Sequence, residues 1–288
     1  MAADLGTSER TFSGLDALEL AGHPGRAPRT KKIWAATWPK LLAAAIAVAL
    51  WQGVVWAGWW PEYVFPGPIA VLHELGDQLR TADFWQGLAT TLRRAMTGFA
   101  LAIVIGFVLG VAVARIRPLR AAIGSMITAL QTMPSIAWFP LAILLFQPSE
   151  NAILFVVVLG AAPSIANGVI AGVDYVPPLL LRAGRNIGAR GVNLYRFVIA
   201  PASLPAIMAG LKQGWAFAWR SLMAGEILFA IAQRPALGTS LDHAGDNSMA
   251  ALVMAYLVVI LVVGVLVDAA FGAADRAVRN RWGLTEQR

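Results

Sequence analysis

The sequence predicts an all-α membrane protein with six transmembrane helices and both termini in the cytoplasm. Of its 288 residues, 58% are hydrophobic and only 14% are charged, and the mean hydropathy is +0.65. A soluble domain carries about 25% charged residues, so this chain has too few charges to cover a water-exposed surface. Several apolar stretches are long enough to cross a hydrocarbon core about 30 Å thick. Each must be helical, because lipid cannot satisfy a free backbone polar group.

The predicted spans follow from the positions of these apolar stretches. They lie at 41–60, 88–114, 119–146, 152–173, 204–231 and 250–271. Pro134 and Pro140 interrupt the third span, because proline removes a helical hydrogen bond. The chain therefore divides into a flexible cytoplasmic tail at 1–36, a transmembrane domain at 37–274 and a cytoplasmic C-terminal tail at 275–288.

Cationic side chains orient the predicted spans. Lysines and arginines cluster before the first span, between the second and third, between the fourth and fifth, and after the sixth. Since cytoplasmic loops carry the excess of Lys and Arg, both termini are predicted to be cytoplasmic. Arg93 and Arg94, near the outer end of the second span, depart from this pattern. They either snorkel to the outer interface or face the protein interior.

The outer segment 61–87 is too polar to be a span, and a short amphipathic helix is predicted within it from about Pro68 to Leu79.

The sequence disfavours several functional classes other than a membrane protein without bound metal or nucleotide. The chain has no cysteine, which excludes disulfides and thiolate chemistry. Its three histidines fall in the tail and outer loops, so no metal site is predicted. The sequence G-x-x-x-x-G-K-[ST] is absent, so the chain has no phosphate-binding loop of its own. The sequence contains no basic soluble domain, so nucleic-acid binding is not predicted.

The cytoplasmic segment 175–203 has the pattern of a helix–turn–helix. Gly188 and Gly191 permit a sharp reversal, and a second short helix is predicted at 192–199. The first helix has one apolar stripe, with arginines beside it, formed by Leu179, Leu180, Ala183 and Ile187. Because this stripe faces the cytoplasm without a core of its own, the sequence predicts a docking surface for another protein.

This segment resembles the coupling loop of binding-protein-dependent ABC importer permeases. That loop begins Glu-Ala-Ala, continues with a Gly four residues after the second Ala, and has Leu-Pro about a dozen residues later. Here Arg182 replaces the acidic residue and Gly184 replaces the second Ala, while Ala200 and Pro201 stand at Leu-Pro. The resemblance implies that the ATPase-coupling residues are Arg182, Ala183, Gly184, Ile187, Gly188, Ala189 and Pro201.

Flanking segments such as LQTMPSIAWFPLAILLF and WAFAWRSLMAGEIL resemble the nitrate/sulfonate/taurine-type subgroup of these permeases. The resemblance runs from about Phe65 to Asp268 and departs at Gln147, where the subgroup usually has Gly. It implies the type I ABC importer transmembrane domain and an import path for a small anion such as an aliphatic sulfonate, taurine or nitrate. The alternatives are a pyrimidine vitamin precursor or an aromatic acid in the same transporter class, or an ion-coupled carrier.

The resemblance also implies the protein's partners and location. A permease of this kind is not an enzyme; it would pair with a second copy of itself, two ATP-binding cassette ATPase subunits and an extracytoplasmic solute-binding protein, among membrane lipids. ATP and Mg would bind to the ATPase, leaving no cofactor in this chain. The expected location is the bacterial plasma (inner) membrane, crossed several times.

Polar side chains within spans are candidates for the translocation path, because each is costly in lipid. Hydrogen bonding between helices is the alternative role for Ser135, Ser164 and Asn167. Arg220 could offer positive charge to an anion passing between two protomers. The full set of path candidates is Gln131, Ser135, Trp138, Asn167, Gln213, Trp219, Arg220 and Glu226.

Overall fold

A computed structural model describes residues 29–229 and 234–281 of the chain. It divides into two units at residues 60 and 61. In the first, α1 (Arg29–Trp56) covers most of the predicted first span but ends four residues before its predicted end at residue 60, and it begins ahead of the predicted domain boundary at residue 37. Most of the predicted N-terminal tail, at 1–28, lies outside the described residues, as does the end of the C-terminal tail at 282–288.

The described part of the second unit consists of helices and connecting loops and contains no strand. In chain order its helices are α2 (Pro68–Gln78), α3 (Ala82–Arg115), α4 (Arg117–Thr132), α5 (Phe139–Phe146), α6 (Glu150–Asp174), α7 (Pro178–Asn186), α8 (Val192–Leu194), α9 (Ala200–Leu228), α10 (Leu237–Asp246) and α11 (Ala250–Arg281). A 3₁₀ turn at Ser135–Trp138 precedes α5, and a π-helical turn at Tyr195–Ile199 joins α8 to α9.

Among the described residues, five helices are long and apolar enough to cross a membrane, and a sixth span is formed if the bent pair α4 and α5 is counted as one. This pair corresponds to the predicted third span. The two halves meet at 107° rather than forming one straight helix. Met133, which precedes Pro134, has extended backbone angles, since proline disfavours a helical residue before it. Pro140 lies in the first turn of α5, where its missing N–H costs nothing.

The centre of the second unit is α6, which packs between α3 and α9. Glycines bring the helix backbones close together. A Cβ at Gly106 would lie 2.7 Å from the carbonyl oxygen of Ala162, and Gly168 and Gly210 meet so closely that a Cβ on either would lie 2.7 Å from the other's Cα. Gly98 and Gly110, on the same helix as Gly106, also lie close to α6, because small residues let membrane helices approach one another.

The outer surface carries two short helices, of which only one was predicted. The predicted amphipathic helix is α2. The second, α10, lies in a segment interpreted as a loop, and it buries Leu237 and Ala244. The polar residues of α10 obscure its apolar face in the sequence, and this face packs against α3, α9 and α11. The second span also begins earlier than predicted, since the Thr81 Oγ1 accepts a hydrogen bond from the Phe84 N–H and caps α3.

Candidate functional site

A polar cavity of about 570 Å³ lies between α4, α6 and α9. The Gln131 side chain connects two of these helices. Its Nε2 donates to Ser164 Oγ at 2.8 Å, and its Oε1 accepts from Asn167 Nδ2 at 2.7 Å. Gln213 lines the cavity from α9. The structure therefore gathers three path candidates, Gln131, Asn167 and Gln213, around one space, with Ser164 as their hydrogen-bond partner.

Every side chain that lines this cavity is uncharged. The path candidate on α9 that carries positive charge is Arg220, which lies beyond Phe217 toward the outer end, whereas Lys212 on the same helix pairs with Asp268. Its guanidinium carbon is 4.8 Å from the centre of the Phe217 ring, and its Nε donates to the Ala216 carbonyl at 3.1 Å. Gln213, Phe217 and Arg220 lie on one face of α9. Arg220 is exposed and lies about 10 Å from Gln213 along the helix axis.

The remaining path candidates lie elsewhere. Ser135 and Trp138 belong to the 3₁₀ turn, and Trp138 packs against the central apolar core. Trp219 is buried in that core, where its ring stacks on Trp215 with centroids 6.1 Å apart. Glu226 is buried at the outer end of α9. None of these four lines the polar cavity.

Glu226 belongs to a buried ion-pair network that the sequence did not reveal. Arg94 lies at its centre and is only 2% exposed. The Arg94 Nη1 donates to Glu226 Oε1 at 3.0 Å, and its Nε and Nη2 donate to the two carboxylate oxygens of Glu150 at 2.8 and 2.6 Å. The fully buried carboxylate of Glu226 therefore has a fixed cationic partner. Of the two positions predicted for Arg94, the protein interior is the correct one.

The network also fixes the start of α10. The Gly238 N–H donates to Glu226 Oε2 at 3.1 Å, and the Leu237 N–H donates to Thr91 Oγ1 at 2.9 Å. Thr91 in turn donates to Glu226 Oε2 at 2.8 Å. A carboxylate is favoured at a helix N-terminus because the free N–H groups there carry partial positive charge. The network thus ties α3, α6, α9 and α10 together at the outer side.

A sequence signal for this network existed. Arg94 and Glu226 are opposite charges within predicted spans, and such charges almost always pair. The chain separation of 132 residues concealed which charges meet.

The cytoplasmic helix–turn–helix is present, and its turn has a defined geometry. The Ala189 N–H donates to the Gly184 carbonyl at 2.9 Å, and the Gly188 N–H donates to the Arg185 carbonyl at 3.0 Å. This pair of bonds is the Schellman arrangement, which requires a left-handed residue after the helix. Gly188, with φ of 88°, supplies it, and Gly191 has φ of 54°.

The second helix of this segment differs from the prediction. It was expected as a separate helix at 192–199, but α8 continues through the π turn into α9. Pro201 and Pro205 do not break it. Pro201 lies in the first turn of α9, and Pro205 is accommodated within that helix. The cytoplasmic turn and the cavity-lining helix are consequently one continuous element.

The predicted apolar stripe is exposed. Leu179 and Ile187 are 75% and 85% exposed, and Leu180 and Ala183 are also exposed. We call these four residues the docking surface. Arg182 lies exposed beside it.

Two residues of the implied coupling pattern face inward instead. Gly184 is buried, and a Cβ at this position would lie 2.7 Å from Val198 Cγ2. Ala189 is half-buried in the small core around Leu194.

Residues 102–280 match the protein family described as "binding-protein-dependent transport system inner membrane component". The chain belongs to this family. Its fold, a bundle built around α6 with an exposed cytoplasmic turn, is the transmembrane domain of a type I ABC importer. It is therefore a multi-pass permease subunit of the inner membrane.

Relatives support the same assignment. The permease is 28% identical over 237 residues to the taurine transport system permease protein TauC of Escherichia coli (strain K12), covering 81% of this chain and 85% of the relative. It is 25% identical over 243 residues to the nitrate import permease protein NrtB of Synechocystis sp. (strain ATCC 27184 / PCC 6803 / Kazusa), covering 80% and 86%. The expected resemblance to the nitrate/sulfonate/taurine-type subgroup is confirmed.

The fold also matches a solved transporter. An inward-facing structure of the MetNI methionine ABC transporter superposes with a TM-score of 0.58 at 22% identity, covering 68% of this permease and 96% of that chain. This likeness supports the fold alone. Among residues 29–229 and 234–281, no group of three or more His, Asp or Glu side chains could hold a metal ion.

Proposed function

We propose that this permease forms the translocation path for a small anion, such as an aliphatic sulfonate, taurine or nitrate, in an importer driven by separate ATPase subunits. The observation that carries the proposal is the cavity between α4, α6 and α9, which offers amide and hydroxyl groups and no fixed charge. Relatives named for taurine and nitrate transport support the choice of substrate class.

The chemistry of the cavity suits transient binding. Amide N–H and hydroxyl groups donate hydrogen bonds to an oxyanion. Gln131 and Asn167 each use one amide hydrogen within the network and keep a second, and Gln213 adds a further amide. A fixed arginine or lysine inside would hold an anion too strongly, since a path must bind well enough to admit its substrate and weakly enough to release it. Neutral donors meet both requirements.

Arg220 supplies the attraction that the cavity lacks. It is exposed on the cavity-lining face of α9, on the outer side of Phe217. A cation at this position raises the local concentration of anions before they reach the neutral donors. In a dimer of two permease copies, two such arginines would flank the entrance.

The cytoplasmic end would receive the driving force. The exposed docking surface on α7 suits an apolar groove on an ATPase, which would bind the ATP and Mg. Because α8, the π turn and α9 are continuous, movement of the docked segment would reach Gln213 along a single helical element. An extracytoplasmic solute-binding protein would deliver the substrate at the opposite side.

The proposal is tested by uptake into liposomes that contain the permease, its ATPase and an excess of its binding protein. Labelled taurine, an aliphatic sulfonate and nitrate are compared with an uncharged pyrimidine. We expect Arg220→Gln to lower anion uptake about tenfold, because the local enrichment of anions is lost, with unchanged assembly. The matched control is Arg93→Gln, which removes an exposed arginine from the outer part of α3.

Two results would contradict the proposal. One is anion uptake by Arg220→Gln equal to that of the unmodified permease. The other is uptake of the uncharged pyrimidine with no uptake of any anion.

A further inference from the structure

A second cavity, of about 300 Å³, lies at the cytoplasmic ends of α3 and α6 and beside the start of α9. Its wall is almost entirely apolar and includes Phe107, Val111, Val169, Val173 and Ile207. This volume is at the lower end of the range for ligand pockets. It is separate from the polar cavity, with which it shares no lining residue.

The mouth of this cavity is cationic. Arg115, the last residue of α3, and Arg196, in the π turn, both line it and are exposed. The Arg115 guanidinium carbon lies 3.5 Å above the centre of the Tyr195 ring. Within the described part of the chain, neither arginine forms an ion pair, whereas Arg120 nearby binds Asp174 with two hydrogen bonds.

The interior offers nothing polar to a ligand. The one hydroxyl in the wall, apart from Tyr195, belongs to Ser203, which is buried and directed to the carbonyl oxygens of Gly172 and Ile199. A fitting occupant must therefore be apolar along its length and anionic at one end.

The location identifies the class of this occupant. Arg115 and Arg196 stand where the spans meet the cytoplasm, the side on which anionic lipid headgroups attract basic residues. We propose that the cavity binds one acyl chain of an anionic phospholipid, whose phosphate contacts Arg115 and Arg196.

The site adjoins the ATPase-coupling segment. Val192, Arg196, Ile199 and Ser203 line the cavity from one face of the continuous α8–α9 element, which passes through the π turn. Single π turns inside helices are frequent at functional sites. A bound lipid would brace this element against α3 and α6, so anionic lipid would increase the coupling of ATP hydrolysis to transport. This consequence rests on the proposed function; the binding itself does not.

Binding is tested with the intact importer, by native mass spectrometry after incubation with phosphatidylglycerol or phosphatidylcholine. We expect preferential retention of phosphatidylglycerol. Each arginine near an anionic headgroup contributes about fivefold in affinity, so Arg115→Gln with Arg196→Gln should weaken retention about 25-fold. Arg276→Gln, which removes an exposed cytoplasmic arginine of α11, is the matched control and should retain the lipid.

Further variants distinguish the contribution of the two positive charges to lipid retention from the contribution of the cavity volume. Arg115→Lys with Arg196→Lys should keep most of the retention, because the charges remain. Val111→Trp should expel the lipid, because it fills the cavity and leaves both arginines in place. Equal retention by the glutamine pair and the unmodified importer would overturn the proposal, and so would undiminished retention by Val111→Trp.

A competition arm distinguishes a lipid from a free phosphate. Glycerol phosphate, which has the headgroup chemistry without the chain, should not displace phosphatidylglycerol. Displacement at equal concentration would show that the arginines bind phosphate alone. The functional arm compares substrate-stimulated ATP hydrolysis in liposomes with and without phosphatidylglycerol, and the stimulation by this lipid should be lost in the glutamine pair. If the unmodified importer retained phosphatidylglycerol but transported none of the anions, the proposed function would be contradicted and the lipid site would not.

Discussion

The two ends of the transmembrane bundle use charge in opposite ways. At the outer end, Arg94 is buried between Glu150 and Glu226. The hydrogen bonds of that network join groups of the same chain. At the cytoplasmic end, Arg182 and the docking surface on α7 are exposed, with Leu179 and Ile187 more than two-thirds accessible.

This difference indicates which end is complete in one chain. Burial of a charge is tolerated only with fixed partners, so the outer network holds four helices in one arrangement. An exposed apolar stripe gains stability only when another surface covers it. The outer end is thus organised to hold the bundle together, and we propose that the cytoplasmic end transmits force from a partner.

The largest effect is expected from breaking the outer network. Glu226→Ala removes one partner of Arg94 and leaves Thr91 and the Gly238 N–H without their acceptor. We expect a loss of about 3–5 kcal/mol in the free energy of unfolding, as for other buried pairs. Thermal unfolding in detergent, followed by Trp fluorescence, measures it.

The control for this variant is Asp77→Ala, which breaks an exposed pair between Asp77 of α2 and Arg80 on the outer surface. It should cost no more than about 1 kcal/mol. Similar unfolding temperatures for the two variants would show that the outer network does not hold the bundle.

The next effect is expected at the cytoplasmic turn, without a change in the outer bundle. Gly184→Ala places a Cβ 2.7 Å from Val198 Cγ2, and overpacking of this kind costs about 1–3 kcal/mol. We expect α7 to shift and substrate-stimulated ATP hydrolysis to fall about tenfold, measured in the reconstituted importer.

A second substitution tests the steric cause. Val198→Ala combined with Gly184→Ala removes the clashing atom, so hydrolysis should recover substantially. Failure of the double variant to recover would mean that Gly184 acts through something other than its contact with Val198.

A smaller effect is expected midway between the two ends. Asn167→Leu removes one donor from the polar cavity and one hydrogen bond to Gln131. Because one such bond contributes about 1 kcal/mol, substrate uptake should fall about fivefold with little change in assembly. Thr97→Val, which removes a hydroxyl bonded only to carbonyls of its own helix, is the control. Equal uptake by both variants would exclude Asn167 from the path.

The smallest effect is expected from Arg120→Gln. Arg120 binds Asp174 at the cytoplasmic surface, where the guanidinium is half exposed. Surface pairs contribute little and salt screens them further. We expect an unfolding temperature close to that of the unmodified permease, with any difference disappearing at high salt. A large shift that persists in salt would place this pair among the fixed contacts of the bundle.

Local sequence accounted for much of the fold and part of the candidate site. The break in the third span follows from Pro134 and Pro140, and the turn after α7 follows from Gly188. The path candidates were less predictable. Gln131 and Asn167 share a cavity, whereas Trp219, chosen on the same grounds, packs in the core. Sequence shows that a residue is polar or aromatic, but only packing shows which face of the helix points to the cavity.

The sequence by itself determined the membrane class and the approximate positions of the apolar spans, and it predicted their direction and a cytoplasmic docking segment. These depend on hydropathy and charge over short windows, because the bilayer acts on each segment separately. Only the tertiary structure decided that Arg94 meets Glu150 and Glu226, at separations of 56 and 132 residues, and that Gly184 is buried against Val198. Those contacts depend on how distant helices pack, and helix packing is set by the shapes of all the facing side chains together.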